Sequence, residues 1–271
     1  MTNGKPVRHI LSLSGGKDST ALAVYMRDKV PEMEYVFCDT GEELPETYEY
    51  LGKVEAYLNQ EIVRLKNNRE GFEDLLATRK GFLPSPTARW CTQYLKIVPF
   101  EQYVRDDLAV SYIAIRADEA HRKGYISTKP NISARYPFIE DGITKHDVMR
   151  LLSESGLGMP SYYDWRSRSG CYFCFFQQRN EWVGLLEKHP DLFRKAASYE
   201  KYDSKTGQRY TWVPRESLEE LAIPERVQQI RADVERRKAR DRGERANKEL
   251  LQLFSDDDLE RSDDGCLICH L

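Results

Sequence analysis

Short apolar runs alternate with longer amphipathic stretches through the first half of the chain. His9-Ile10-Leu11-Ser12-Leu13 predicts a strand that enters a Gly-rich turn, and Thr20 to Lys29 predicts a helix with Leu22, Val24, Tyr25 and Met26 among its apolar positions. Tyr35 to Cys38 predicts a second strand and Glu46 to Leu58 a second helix. A third strand at Ile62 to Leu65, a helix at Pro99 to Leu108 and a fourth strand at Tyr112 to Ile115 continue the alternation. Strands separated by helices imply an α/β fold, a parallel sheet with helices on both faces and right-handed crossovers. Ligands of such sheets sit beyond the carboxyl ends of the strands, which is where the candidate motifs fall.

The pattern then loosens. Lys80 to Trp90 holds Gly81, Pro84 and Pro86 and reads as a long loop over a site. Thr144 to Ser155 reads as a helix, and Gly156 to Cys174 as an irregular segment rich in Gly, Tyr, Arg and Ser. From Glu216 onward the chain becomes a charged helix, with nine Lys/Arg against four Asp/Glu between Arg226 and Lys248, before an acidic stretch near the end. The expected organisation is a nucleotide-binding and cluster domain over 1–180 and a mainly helical, charged C-terminal region over 181–271 with a mobile, cysteine-containing tail.

Composition narrows the class. The 271 residues are 40% hydrophobic and 31% charged, with a net charge of −3. No apolar run nears the roughly 18 residues of a membrane span, and the first residues lack the apolar stretch of a secretory signal, so a cytoplasmic protein away from membranes is expected. Global charge does not announce a nucleic-acid binder, and such a surface would have to be local. Of six cysteines, Cys38 and Cys91 stand alone, whereas Cys171/Cys174 and Cys266/Cys269 form Cys-x-x-Cys pairs. In a reducing compartment those pairs suit metal or redox chemistry.

The strongest local signal is Ser14-Gly15-Gly16-Lys17-Asp18-Ser19, between the first strand and the first helix. Glycines let the backbone approach a ligand, the helix start offers N–H groups to an anion, and Lys17 adds a compact cation. Asp18 supplies a carboxylate for Mg2+ and Ser19 a hydroxyl. This string resembles the PP-loop of ATP pyrophosphatases, which cleave ATP between its α- and β-phosphates. Cys38-Asp39-Thr40-Gly41 with Pro45-Glu46-Thr47-Tyr48 resembles the next motif of the phosphoadenosine-phosphosulfate (PAPS) reductase clan. The likeness implies that Asp39 and Thr40 line the nucleotide site, and a helix-capping role for Asp39 is the alternative. Ile115-Arg116-Ala117-Asp118-Glu119, with Arg122, resembles the clan's arginine motif, and Arg116 would clamp phosphate there.

Arg89-Trp90-Cys91-Thr92 resembles the region where adenylylsulfate reductases carry a Cys-Cys pair, with Trp90 in place of the first cysteine. Cys171-Tyr172-Phe173-Cys174 resembles their second pair. Cys91, Cys171 and Cys174 are thereby implied as ligands of a [4Fe-4S] cluster with one iron open, as in thiolation enzymes. A zinc site built from Cys171, Cys174, Cys266 and Cys269 is the competing reading. Cys266 and Cys269, the latter followed by His270, are possible sulfur carriers, and a disordered end with incidental cysteines is the alternative. Cys38 reads as a buried small side chain.

Reductases of activated sulfate typically depart from the intact loop, and this chain keeps it. Together with the three-cysteine set, that resembles the ATP-pyrophosphatase component of DNA phosphorothioation systems. The resemblance implies ATP, Mg2+ and an iron–sulfur cluster as cofactors, and a cysteine desulfurase, DNA and other modification-system subunits as partners. Tyr162-Tyr163-Asp164-Trp165-Arg166-Ser167-Arg168 suits DNA, since aromatics stack on bases and arginines meet phosphates. A packed loop beside the cluster is the alternative. A reductase of PAPS or adenylylsulfate, a tRNA thiolase and a non-catalytic nucleotide-binding subunit remain the rival functions.

Overall fold

A computed structural model describes residues 6–122, 127–204 and 207–246. They form two units, the first drawn from 6–77 and 88–171, the second from 78–87 and 172 onward.

The first unit is built on a five-stranded sheet, with strands β1 (Arg8–Ser12), β2 (Met33–Cys38), β3 (Ile62–Leu65), β4 (Ala109–Tyr112) and β5 (Ile132–Arg135) in the order β3-β2-β1-β4-β5. Every pairing is parallel. Helix α1 (Lys17–Met26) follows β1, and α2 (Pro45–Leu58) follows β2. Order reverses between β1 and β4, and this is the crevice where doubly wound sheets take their ligands.

Alternation along the strands sends side chains into two cores. Leu11, Tyr35, Phe37 and Tyr112 meet Leu22, Met26, Leu51 and Val54 of α1 and α2, and Val148 and Leu152 of the helix Lys145–Glu154. On the opposite face Ile10, Val36, Cys38 and Leu65 pack with Phe100 and Val104. Each such large apolar side chain contributes about 1.5–3 kcal/mol through burial. Cys38 is therefore the packed residue expected, and burial pushes its thiol up to about 12.

The elements differ from expectation at four places. The first helix begins at Lys17, three positions before the expected start, so the phosphate-loop residues Lys17, Asp18 and Ser19 form its first turn. The fourth strand ends at Tyr112, and Ile113-Ala114-Ile115 lies beyond it. Those residues are buried, but the short partner β5 reaches only Arg135, whose carbonyl accepts Ile113 N–H at 2.9 Å. Residues 91–98, given no element between the expected loop and the helix expected over Pro99 to Leu108, are helical, running as Trp90–Thr92, a π-helical turn at Gln93–Ile97 and a helix at Val98–Val104. Strand β5 carries only Ile132 as a large apolar side chain and shows no periodicity to read.

In the second unit, helices Arg179–Lys188, Pro190–Ser198 and Leu218–Leu221 and an antiparallel hairpin, Lys201–Asp203 with Gln208–Tyr210, precede the long helix Pro224–Ala246. Its core holds Trp182, Leu185, Phe193 and Trp212, with Phe173 stacked on Trp212 at 5.2 Å. Among the described residues no helix is long and apolar enough to cross a membrane.

Candidate nucleotide and sulfur site

The loop after β1 turns on Gly15, whose φ of +72° is left-handed, and a Cβ there would lie 2.6 Å from Thr47 Cγ2. Gly16 is pressed from the other side, where a Cβ would lie 2.7 Å from Ser169 Oγ. Hydroxyls tie the turn together. Ser14 N–H donates to Ser19 Oγ at 3.1 Å, the Ser14 and Ser19 hydroxyls lie 3.0 Å apart, and Ser169 Oγ donates to Ser14 Oγ at 3.1 Å. Tyr162 Oη donates to the Gly15 carbonyl at 2.7 Å. A backbone already bent around an anion-sized space saves ordering entropy at binding.

Charge at this loop is balanced. Asp18 receives Lys17 Nζ on Oδ2 at 3.0 Å and Arg116 Nη1 on Oδ1 at 3.0 Å. Arg116 arrives from the segment after β4 and also binds Asp118 and Glu119, the latter shared with Arg122. Burial works against the Lys17 charge, but Asp18 and Tyr163 outweigh it, and its pKa ends above the usual value. Arg116 is likewise raised, with Asp18 and Asp118 overcoming burial. Among the described residues, Lys17, Arg116 and Arg122 face Asp18, Asp118 and Glu119. A polyanionic nucleotide entering among these paired charges needs charge brought with it. Mg2+ fits that need, since carboxylate oxygens such as those of Asp18 are its natural protein ligands and phosphates complete the shell.

The end of β2 supplies a second set. Asp39 accepts Gly41 N–H at 2.9 Å, Tyr48 Oη at 2.8 Å and Lys66 Nζ at 2.9 Å. Burial pushes this carboxyl up, but those partners win and hold it below its ordinary value. Asp39 therefore shapes the Asp39–Gly41 turn and caps no helix. Thr40 Oγ1 donates to Glu43 Oε1 at 2.7 Å, and Tyr48 Oη lies 3.1 Å from Glu43 Oε2.

Thr40 also places the cysteines. Its hydroxyl lies 3.3 Å from Cys171 Sγ, and Glu43 and Cys171 form an isolated β-bridge. Burial, reinforced by Glu43 and opposed by Lys96, keeps the Cys171 thiol well above its ordinary value and the Glu43 carboxyl above its own. Cys91 is close enough for its charge to act on Cys171. Trp90 is buried and stacks on Phe72 at 5.3 Å, filling with packing the place of a reductase cysteine. Cys174 belongs to the second unit. Three thiols are the right donor chemistry for an iron–sulfur cluster. Among the described residues, however, no three His, Cys, Asp or Glu side chains are gathered around a metal position. Cys266 and Cys269 lie outside the described residues, and with them the four-cysteine zinc reading.

In the aromatic–arginine segment expected to meet DNA, Tyr162 and Arg166 are buried, while Asp164 and Ser167 are exposed. Arg166 donates to the carbonyls of Gly170 and Cys171 at 3.1 and 2.7 Å, and Tyr163 Oη accepts Lys17 N–H at 3.2 Å. The segment braces the phosphate loop and Cys171, the alternative its sequence left open. The sequence assigns no role to Glu43, Tyr48, Lys66, Lys96 or Ser169, although Tyr48 closes the Pro45–Tyr48 motif, Lys96 follows the Cys91 motif and Ser169 directly precedes Gly170-Cys171.

A family model, the phosphoadenosine phosphosulfate reductase domain, matches residues 8–175. The chain belongs to that family. The match takes in the phosphate loop, Asp39, Arg116, Cys91, Cys171 and Cys174. An uncharacterized protein of Methanocaldococcus jannaschii is 28% identical over 204 residues, which cover 70% of this chain and 40% of that relative. The chain thus spans less than half the length of this relative. Among solved structures, PAPS reductase from Candida auris in a phosphate complex is 15% identical, covering 63% of this chain and 84% of its own, with a TM-score of 0.49. The U34-tRNA thiolase NcsA of Methanococcus maripaludis, solved with its [4Fe-4S] cluster, is 15% identical, covering 72% and 71% with a TM-score of 0.41.

Proposed function

We propose that the protein is an ATP pyrophosphatase of sulfur transfer, which adenylates an acceptor oxygen so that sulfur can displace AMP. The observation that carries this reading is the intact Ser14–Ser19 loop at the head of α1, with Lys17 and Arg116 joined through Asp18. In the proposed reaction the loop N–H groups and Lys17 hold the phosphate chain, and Asp18 shares Mg2+ with it. Arg116 neutralises charge as pyrophosphate leaves. Positioning and fixed charge account for the rate. Asp39 and Thr40 wall the nucleotide from the β2 side. Cys91, Cys171 and Cys174 are the proposed thiolate ligands of a [4Fe-4S] cluster, which when bound would supply sulfur-binding chemistry.

The proposed acceptor is DNA backbone phosphate, with a cysteine desulfurase as sulfur source, a thiol reductant that takes its persulfide sulfur to sulfide, and other modification subunits as partners. Its support is the ATP-type loop and the cysteine set of the same chain, together with the basic helix Pro224–Ala246. The test is nuclease digestion of host DNA followed by mass spectrometry. Phosphorothioate linkages should be present and should vanish with Asp18→Ala. Sulfite formation from PAPS or adenylylsulfate with a thiol reductant would establish the reductase instead, and thiolated tRNA the tRNA thiolase.

A further inference from the structure

Tyr163 stands where the helix start offers its first donor. Helix α1 leaves the N–H groups of its first turn without intrahelical partners, and these are what a phosphate oxygen would take. The Lys17 N–H is occupied by Tyr163 Oη at 3.2 Å, and Lys17 Nζ lies 5.5 Å from the centre of the same ring. Tyr163 is held there by its neighbour, for the Tyr162 and Tyr163 rings stack at 5.0 Å while Tyr162 Oη anchors on the Gly15 carbonyl. The Tyr163 hydroxyl acts as acceptor toward Lys17, and among the described residues no hydrogen bond carries its own proton to a protein oxygen. Burial keeps the phenol protonated against the pull of Lys17.

We propose that Tyr163 is a positioning residue for the nucleotide's phosphate chain. Its hydroxyl lies at the first N–H of α1 and donates to a phosphate oxygen that takes the Lys17 N–H. This rests on the ATP pyrophosphatase reading and extends it to a residue outside the loop motif. The Lys17–Tyr163 bond is one neutral hydrogen bond, worth about 0.5–1.5 kcal/mol, and a charged phosphate oxygen is the stronger acceptor for the same N–H. The stack on Tyr162 holds the ring, so only the hydroxyl changes partner.

Titration calorimetry on the full chain, with MgATP, pyrophosphate and adenosine as separate probes, tests the assignment. Tyr163→Phe keeps the ring and the stack, and should weaken MgATP and pyrophosphate about tenfold while leaving adenosine unchanged, the loss of one hydrogen bond to a charged group. With 3-fluorotyrosine at position 163, the fluorine resonance should shift on adding pyrophosphate and stay fixed on adding adenosine. A wild-type protein that binds neither MgATP nor pyrophosphate would overturn the functional reading and this assignment together. Wild-type binding that Tyr163→Phe leaves equal or tighter, or an unmoved resonance, would overturn the assignment alone.

Discussion

Gly15→Ala should damage the phosphate loop by two separable routes. A non-glycine residue at a φ of +72° costs about 1–2 kcal/mol. The added Cβ would also lie 2.6 Å from Thr47 Cγ2, a contact no real Cβ keeps. Thr47 is buried on α2 and β-branched, so its methyl cannot simply turn away, and relieving the overlap costs about 1–3 kcal/mol more. The sum, about 3 kcal/mol, corresponds to a urea midpoint lower by about 1–2 M. MgATP affinity should fall with it, because the Gly15 carbonyl anchors Tyr162. Thr47→Ser removes Cγ2 and keeps the hydroxyl. In the double variant the overlap disappears and the backbone strain remains, so part of the loss should return as a coupling energy of about 1–3 kcal/mol. Urea titrations of wild type, both single variants and the double variant measure it. A Gly15→Ala protein as stable as wild type, or an equal loss in both Thr47 backgrounds, would refute the packing argument.

Asp18→Ala leaves Lys17 and Arg116 without their shared counter-charge, and breaking such a buried pair costs about 3–5 kcal/mol. The variant should lose AMP formation, and a retained far-ultraviolet dichroism spectrum would show that the fold survives. Asp39 titrates below its ordinary value, so its stabilisation is present above the unfolded value of about 3.9 and is lost as pH falls through the lower folded one. Urea midpoints of wild type and Asp39→Asn should therefore differ at pH 6 and converge toward pH 2. Cys171→Ser should stop sulfur transfer while pyrophosphate release on adenylation continues, read as phosphorothioate content against pyrophosphate formed. Loss of both together would place Cys171 in the ATP step.

The fold was legible wherever local pattern and tertiary role agree. The first three strands and α2 are apolar runs or amphipathic stretches closed by turns, and the structure places them within a few residues of the reading. Strand β5 was hidden because an edge strand of four residues needs only one buried side chain, Ile132. The π-helical turn at Gln93–Ile97 was hidden for another reason. Its register serves Lys96, whose backbone carbonyl meets Cys38 and whose charge acts on Glu43 and Cys171 from distant parts of the chain. At the site, Lys17, Asp18 and Arg116 stood in contiguous motifs and could be read. Lys66 becomes a partner of Asp39 only once β2 and β3 are paired, whereas Glu43 and Tyr48 meet Thr40 and Asp39 across the turn between β2 and α2. The segment Tyr162–Arg168 could not be assigned from sequence because aromatics and arginines suit base stacking and carbonyl bracing equally well, and the structure shows the bracing at Tyr162 and Arg166.

The central claim is that this loop splits ATP between the α- and β-phosphates. Incubating the purified chain with α-labelled ATP, Mg2+, DNA and sulfide, then separating the nucleotides by chromatography, measures it directly. Labelled AMP should appear in step with pyrophosphate, require Mg2+, and be absent with Asp18→Ala. Labelled ADP with free phosphate, or intact ATP beside sulfite formed from PAPS, would contradict the account.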